Sequence, residues 1–194
     1  LWHGADEAGK PAPRMSRAET RQLVDYLTEM AAKGYVILSW NGLGFDFDIL
    51  AEESAAKAEC QRCALAHVDM MFHIVCVQGY PVGLDKAAQG MGVAGKPPGM
   101  TGLRAPVLWA QGKFQEVLDY VTQDVQTTLA VALAAENRKK FEWITRKGTK
   151  SSLPLTRGWL PVEHALKLPE PDTSWMSTPI RRGEFLGWMK SGGG

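Results

Sequence analysis

The chain has 194 residues, of which 45% are apolar and 22% charged, and its formal net charge at pH 7 is +1. These values are typical of one globular domain with enough residues to bury a core, and they exclude a disordered tail, a collagen-like fibre and a coiled coil. Three cysteines are too few for a disulfide scaffold and the apolar stretches are too short to span a bilayer, so we expect a cytoplasmic protein with no membrane partner.

Charge divides the chain into two parts. Residues 1–137 carry 11 Lys and Arg against 16 Asp and Glu, whereas residues 138–194 carry 11 against 5. We therefore predict a core at 1–137 and a small basic C-terminal extension at 138–194. An anionic partner at the basic end and an ordinary solvated basic surface both fit this asymmetry.

The first third of the chain alternates helical and strand-like patterns. Ser16 and Glu19 have capping-box spacing and predict a helix that ends at Gly34. The apolar run at 35–40 predicts a buried strand, and the pattern from Phe45 to about Lys57 predicts a second helix. A helix–strand–turn–helix order is typical of a layered α/β domain.

The rest of the chain continues in short segments. Residue patterns predict helices near 70–77, 84–91 and 114–136, an apolar stretch at 65–68 and a Gly/Pro-rich loop at 92–102. Residues 138–150 predict a basic β-hairpin that turns at Lys147 and Gly148, and short helices follow near 162–168 and 181–189.

Acidic residues follow both apolar stretches. Asn41 to Asp46 come directly after the first predicted strand, where sites form in open α/β sheets. Asp46 lies near a helix N-terminus, where the helix dipole keeps a carboxylate ionised; the alternative is that Asp46 only caps the helix. Asp69 likewise either caps the helix that follows it or lines the same cleft as Asp46.

Tyr120 and Asp124 lie on the longest predicted helix, four residues apart and therefore on one face. A phenol and a carboxylate one turn apart can address one metal-bound water. The alternative is a half-buried core aromatic residue with a polar neighbour.

In this order, the Asn41–Asp46 segment and the Tyr120–Asp124 pair resemble the tyrosine variant of the DEDD-type 3′–5′ exonucleases, in the ribonuclease H-like superfamily. The first segment is similar to the second exonuclease motif of family B DNA polymerase proofreading domains, and the second to the third motif. Residues 83–88 and 108–112 are similar to the linker between those motifs in predicted polymerase-B-like exonucleases. The resemblance implies an α/β, ribonuclease H-like layered domain with helices around a central mixed sheet.

The resemblance also implies a reaction, the hydrolysis of phosphodiester bonds at the 3′ end of single-stranded DNA with two Mg²⁺ or Mn²⁺ ions. It implies that Asp46 and Asp124 hold the metal ions and that Tyr120 orients the nucleophile. It further implies that Asn41 and Phe45 shape the pocket for the terminal nucleotide.

One motif of that family has no counterpart here, because the chain contains no Asp-x-Glu. The helix that begins after Ser16 corresponds in the resemblance to the one that follows the third strand, so we expect the first motif and the first strands to precede Leu1. We therefore predict that this chain hydrolyses nucleic acid poorly or not at all. The alternative is a catalytically inactive, nuclease-like module that binds nucleic acid.

Two further groups of residues permit more than one interpretation. Cys60 and Cys63 form a C-x-x-C with His67 and His73 downstream, which fits a zinc site, a reversible dithiol or two unlinked thiols.

The basic segment 138–157 contains seven Lys and Arg, with Phe141 and Trp143 between them. This pattern fits a surface that stacks on and neutralises single strands, or a solvated edge hairpin whose lysines discourage sheet pairing. Lys96, in the Gly/Pro-rich loop, is a weaker candidate for a phosphate contact.

Overall fold

The structure is a computed structural model that describes residues 3–95 and 104–190. Its helices are α1 (Arg17–Ala32), α2 (Asp46–Ser54), α3 (Lys57–Ala66), α4 (Met70–Gln78), α5 (Leu84–Met91), α6 (Ala105–Ala110), α7 (Phe114–Arg138), α8 (Val162–Ala165) and α9 (Gly187–Lys190), with a 3₁₀ helix at Arg182–Leu186. Its strands are β1 (Leu38–Ser39), β2 (Val68–Asp69), β3 (Lys140–Ile144) and β4 (Lys150–Pro154). Within the described ranges, none of the helices has the length and apolarity needed to cross a membrane.

Helix α1 begins as its sequence predicts. The Ser16 hydroxyl accepts from the Glu19 N–H at 3.2 Å, and the Glu19 carboxylate accepts from the Ser16 N–H at 2.6 Å. These two bonds satisfy donors that every helix start leaves without intrahelical partners. The chain leaves the helix through Gly34, whose φ of +90° lies in the left-handed region. The predicted capping box and helix end are confirmed.

The strands form two separate ladders. Strand β1 pairs in parallel with β2, with Leu38 opposite Val68 and Ser39 opposite Asp69, while β3 pairs antiparallel with β4. A central mixed sheet is therefore not seen in residues 3–95 and 104–190. The apolar run at 35–40 contributes two ladder residues only, and Tyr35 and Val36 are each 67% exposed instead of buried.

Two hydrophobic clusters hold these elements together. The first joins α5 and α7 to the β3–β4 hairpin through side chains that include Met91, Val131 and Phe141. The second joins α2, α3 and α4 to the C-terminal helices through side chains that include Phe72 and Phe185. In both clusters apolar packing crosses position 137, where the charge of the chain changes sign. The two-part division at 137 stays a prediction.

The predicted hairpin is confirmed, but its aromatic residues do not face solvent. Phe141 is fully buried and Trp143 is 4% exposed, and their stacked rings lie 5.5 Å apart. Alternate residues of a strand point to one face, and here that face packs on α5. The contact is so close at Gly90 of α5 that a Cβ atom there would clash with the backbone of Trp143. Of the two interpretations of this segment, the one in which Phe141 and Trp143 stack on single strands is therefore wrong.

Three of the seven cations in the basic segment 138–157 pair with one carboxylate. Glu142 lies within 4 Å of cationic groups of Arg138, Lys140 and Lys150. Its side chain is 13% exposed, and hydrogen bonds from Lys140 lower the pKa of its carboxyl most. The exposed lysines of the hairpin thus fit the solvated-edge interpretation better than a stacking surface.

Candidate active site

The loop between β1 and α2 carries three of the predicted site residues. Asn41 begins it in the left-handed region at φ +73°, a conformation that Asn tolerates better than most residues. Phe45 occupies the cap position of α2, and Asp46 is the first helical residue. The interpretation of Asp46 as the helix cap is therefore wrong.

The Asp69 carboxylate holds this loop from inside the protein. Its Oδ1 accepts from the N–H groups of Asn41 and Phe72, each at 3.0 Å, and its Oδ2 accepts from the Leu43 N–H at 2.9 Å. The bond with Phe72 caps α4, so the predicted cap is confirmed. The other two bonds tie the loop after β1 to the end of β2. At 1% exposure, Asp69 acts as an internal brace.

A second brace joins Ser39 to His67. The carbonyl of Ala64 can only accept, so His67 Nδ1 donates to it at 2.6 Å and Nε2 is left as an acceptor. The Ser39 hydroxyl donates to Nε2 at 2.9 Å and accepts from the Gly42 N–H at 3.0 Å. Desolvation lowers the pKa of His67, although the charge of Asp69 opposes this, and the lowered pKa favours the neutral ring in this arrangement. Sequence reasoning considered His67 only as a zinc ligand.

Asp46 lies within the electrostatic reach of Asp69. Desolvation raises the pKa of Asp46, and the negative charge of Asp69 raises it further. Two nearby carboxylates destabilise each other's charge, and a bound cation would relieve that repulsion. Because both Asp69 oxygens already accept backbone hydrogen bonds, Asp46 is the carboxylate of this pair that is available to a ligand.

The remaining loop side chains differ in exposure. Asn41 is half-buried, whereas Phe45 is 58% exposed although it is a large aromatic residue. An exposed ring beside a carboxylate offers a stacking surface at the mouth of the loop. The structure thus brings Asn41, Phe45 and Asp46 together on one segment.

Tyr120 and Asp124 share one face of α7. Tyr120 is 8% exposed, and Asp124 is half-buried with its Oδ1 shielded from solvent. The main packing partners of α7 are α5, α6 and β3, while α2 packs mainly on α1 and α3. Asp46 and Asp124 therefore lie on helices with different neighbours. The predicted phosphate contact Lys96 lies outside the described residues.

The described residues do not fit a two-metal centre. In the part of the chain that the structure describes, no three His, Cys, Asp or Glu side chains are grouped so that they could hold a metal ion. A magnesium ion takes about six oxygen ligands, and the described residues around Asp46 do not form a group of that kind.

The residues of the zinc interpretation have other contacts. Cys60 and Cys63 are free buried thiols, and Cys63 Sγ lies 3.6 Å from the Thr28 hydroxyl. Burial raises the pKa of Cys60, which keeps it a thiol and not a thiolate. The Nδ1 atom of His73 accepts from the Leu160 N–H at 3.3 Å.

One comparison with known proteins identifies the family. A search of curated proteins and a search of solved structures each gave no significant match. A family model, RNase_H_2, described as RNase H superfamily, matches residues 10–135 of the 194. The matched segment contains the β1–α2 loop, Asp69, Tyr120 and Asp124. The chain therefore belongs to the RNase H superfamily.

Proposed function

We propose that this chain is the nuclease-type domain of a 3′–5′ exonuclease that acts on the ends of single-stranded DNA. Members of its superfamily are usually metal-dependent nucleases. The observation that carries the proposal is that the family match contains a strand-end loop with an available carboxylate, Asp46, and a helix with the pair Tyr120 and Asp124. The three free cysteines fit a reducing compartment such as the cytoplasm.

The residues take the following roles in this proposal. In a site completed by further ligands, Asp46 and Asp124 would hold Mg²⁺ or Mn²⁺, and Tyr120 would orient the attacking water. Asn41 and Phe45 hold the terminal nucleotide, Phe45 by stacking. The metal ions neutralise charge on the phosphodiester and activate water when they are bound. Because the described residues group too few ligands for this, we expect this chain alone to hydrolyse DNA slowly or not at all.

The proposal extends to the sheet. One edge of β1 pairs with β2. A mixed sheet of the ribonuclease H-like kind requires further strands at the other edge of β1. The exposed apolar side chains of Tyr35 and Val36, next to β1, support pairing or packing there.

A specific observation favours a second candidate, a module that binds nucleic acid without catalysis. The sequence contains no Asp-x-Glu, and the described residues contain no group of three ligands for a metal ion. In this alternative the loop with Phe45 binds the strand, and Asp46 has no catalytic role.

A nuclease assay tests the exonuclease candidate directly, because only that candidate allows shortening of the strand. The chain is incubated at high concentration with a 5′-labelled single-stranded oligonucleotide and Mg²⁺ or Mn²⁺, beside its Asp46→Ala and Asp48→Ala variants. Asp48 is the matched control, since it lies in the same first turn of α2 and is exposed. Stepwise shortening from the 3′ end that Asp46→Ala abolishes and Asp48→Ala keeps would support the exonuclease.

Binding of the same oligonucleotide is measured by fluorescence anisotropy. Binding without shortening fits the binding module and also an exonuclease domain with too few metal ligands, whereas neither binding nor shortening would overturn both candidates. A Phe45→Ala variant that binds at least tenfold more weakly would assign the contact to the loop.

A further inference from the structure

We infer that the C-terminal segment 182–190 positions the β1–α2 loop, with Phe185 and Trp188 as its positioning residues. This segment lies outside the family-matched residues 10–135. The inference rests on the proposed function in one respect, because that proposal gives the loop its role through Asp46.

The first contact is a hydrogen bond between residues that are 145 positions apart in the sequence. The indole N–H of Trp188 donates to the carbonyl oxygen of Leu43 at 2.8 Å. Leu43 is fully buried, and its own N–H donates to Asp69 Oδ2 at 2.9 Å. Leu43 is therefore held at its N–H by Asp69 and at its carbonyl by Trp188. The two partners follow Leu43 by 26 and 145 positions, so neither belongs to the loop itself.

The second contact is steric. Phe185 is 8% exposed and packs edge to face on Phe72, with ring centroids 5.3 Å apart. A Cβ placed on Gly44 would lie 3.0 Å from Phe185 Cδ1 and 3.3 Å from Asn41 Oδ1. The Phe185 ring therefore lies directly against the loop backbone, and a side chain at position 44 would require the ring or Asn41 to move by a few tenths of an ångström.

The segment has anchors of its own. The Arg182 guanidinium donates to four carbonyl oxygens, including that of Cys76 on α4 at 2.8 Å, and its side chain is 10% exposed. At the other end, the Gln61 side chain on α3 donates to the Met189 carbonyl at 2.9 Å. Since these anchors do not involve the loop, the segment transmits the position of α3 and α4 to Leu43 and Gly44.

The β1–α2 loop depends on these distant contacts for its position. Asn41 has a left-handed backbone and Phe45 is mostly exposed, so the segment has few local contacts that favour its shape. Groups that bind a ligand lose effectiveness when they move by about half an ångström. The C-terminal contacts and the Asp69 brace together restrict that movement.

The test compares two tryptophan variants by hydrogen exchange of individual amides. Trp188→Phe keeps a ring and removes the donor to Leu43. Trp175→Phe is the matched control, because Trp175 also donates to a backbone carbonyl, that of Asp172, but is 67% exposed. The reporters are the Leu43 N–H and the Phe47 N–H, which donates to the Gly42 carbonyl at 2.9 Å.

We expect roughly tenfold faster exchange at both reporters in Trp188→Phe, since the buried Leu43 carbonyl loses its partner. Exchange within α7 should stay as in the wild type and show that the variant is folded. The ¹³C shift of the Leu43 carbonyl should also change in Trp188→Phe and not in Trp175→Phe. Equal reporter exchange in the two variants would overturn the inference.

This readout needs neither DNA nor metal, so it is independent of the proposed function. Faster exchange in Trp188→Phe, together with oligonucleotide binding that neither Trp188→Phe nor Asp46→Ala alters, would keep the positioning role and overturn the role of the loop in substrate binding. Where the wild type binds the oligonucleotide, we expect Trp188→Phe to weaken binding severalfold and Trp175→Phe to leave it unchanged.

Discussion

The β1–α2 loop and the Tyr120–Asp124 face of α7 carry the two halves of the candidate site, and they are built in different ways. The loop takes its shape from side chains that are distant in sequence, namely Asp69, His67 and Trp188. The face of α7 follows from helical periodicity alone, because residues four apart lie on one side. We therefore expect substitutions far away in the sequence to change the shape of the loop. We expect them to leave the Tyr120–Asp124 face of α7 unchanged.

Removal of the Asp69 carboxylate should disturb the β1–α2 loop more than any other substitution considered below. Asp69→Ala leaves the N–H groups of Asn41, Leu43 and Phe72 without their acceptor, and each such loss costs about 1–3 kcal/mol. We expect the free energy of unfolding to fall by at least about 3 kcal/mol, measured by urea denaturation.

Asp69→Asn sharpens the same test. Asn is a good helix cap and can keep the bonds made by Oδ1, but its amide NH₂ would face the Leu43 N–H. We expect about half of the Asp69→Ala loss, with faster exchange of the Leu43 amide. A loss below about 1 kcal/mol in Asp69→Ala would contradict the bracing role.

This first contrast shows what the sequence could and could not predict. Helix α1 and the hairpin follow from local signals, the capping box of Ser16 and the turn at Gly148, and both were predicted. The end of α2 was missed, because Ala55 takes a left-handed backbone at φ +54° that no residue preference announces.

The braces were missed for a different reason. The bond from Trp188 to Leu43 joins residues 145 positions apart, and no local pattern encodes such a contact. The burial of Phe141 and Trp143 likewise depends on α5, which packs on one face of the hairpin. Asp69 was seen as a cap because capping is a local signal, whereas its second role needed the fold.

Acid should weaken the regions that rely on buried neutral histidines. Desolvation, with the charge of Arg157, lowers the pKa of His73 to about 4, from 6.5 in the unfolded chain. As the pH falls below 6.5 the unfolded chain binds a proton that the folded chain does not, so stability falls by about 3 kcal/mol down to pH 4. The lowered pKa of His67 acts in the same direction, and the raised pKa of Asp46 opposes it.

Urea midpoints at pH 7.5, 5.5 and 4.5 measure this effect. His73→Gln keeps an acceptor for the Leu160 N–H without a group that titrates in this range, so its stability should depend less on pH. An identical pH dependence in the variant and the wild type would refute the assignment to His73.

A single methyl group on the loop probes the contact with the C-terminal segment. Gly44→Ala places a Cβ 3.0 Å from Phe185 Cδ1, so the ring, which is 8% exposed and packed on Phe72, has to move by a few tenths of an ångström. Gly183→Ala is the control, since a Cβ there meets no atom within 4 Å. We expect a lower thermal midpoint in Gly44→Ala than in Gly183→Ala, and equal midpoints would contradict close packing of Phe185 on the loop.

A substitution on the exposed side of α7 should change the stability of the protein least. Val125 and Leu129 are 61% and 51% exposed and lie four residues apart, so they form an apolar stripe on the helix surface. Val125→Ala removes two methyl groups that are largely in contact with water, and Ala is the better helix former, so the two effects nearly cancel. We expect a change within about 0.5 kcal/mol by urea denaturation. A fall of about 2 kcal/mol in the free energy of unfolding would show that this stripe is buried in solution. The outer face of α7 would then not tolerate substitution as we expect.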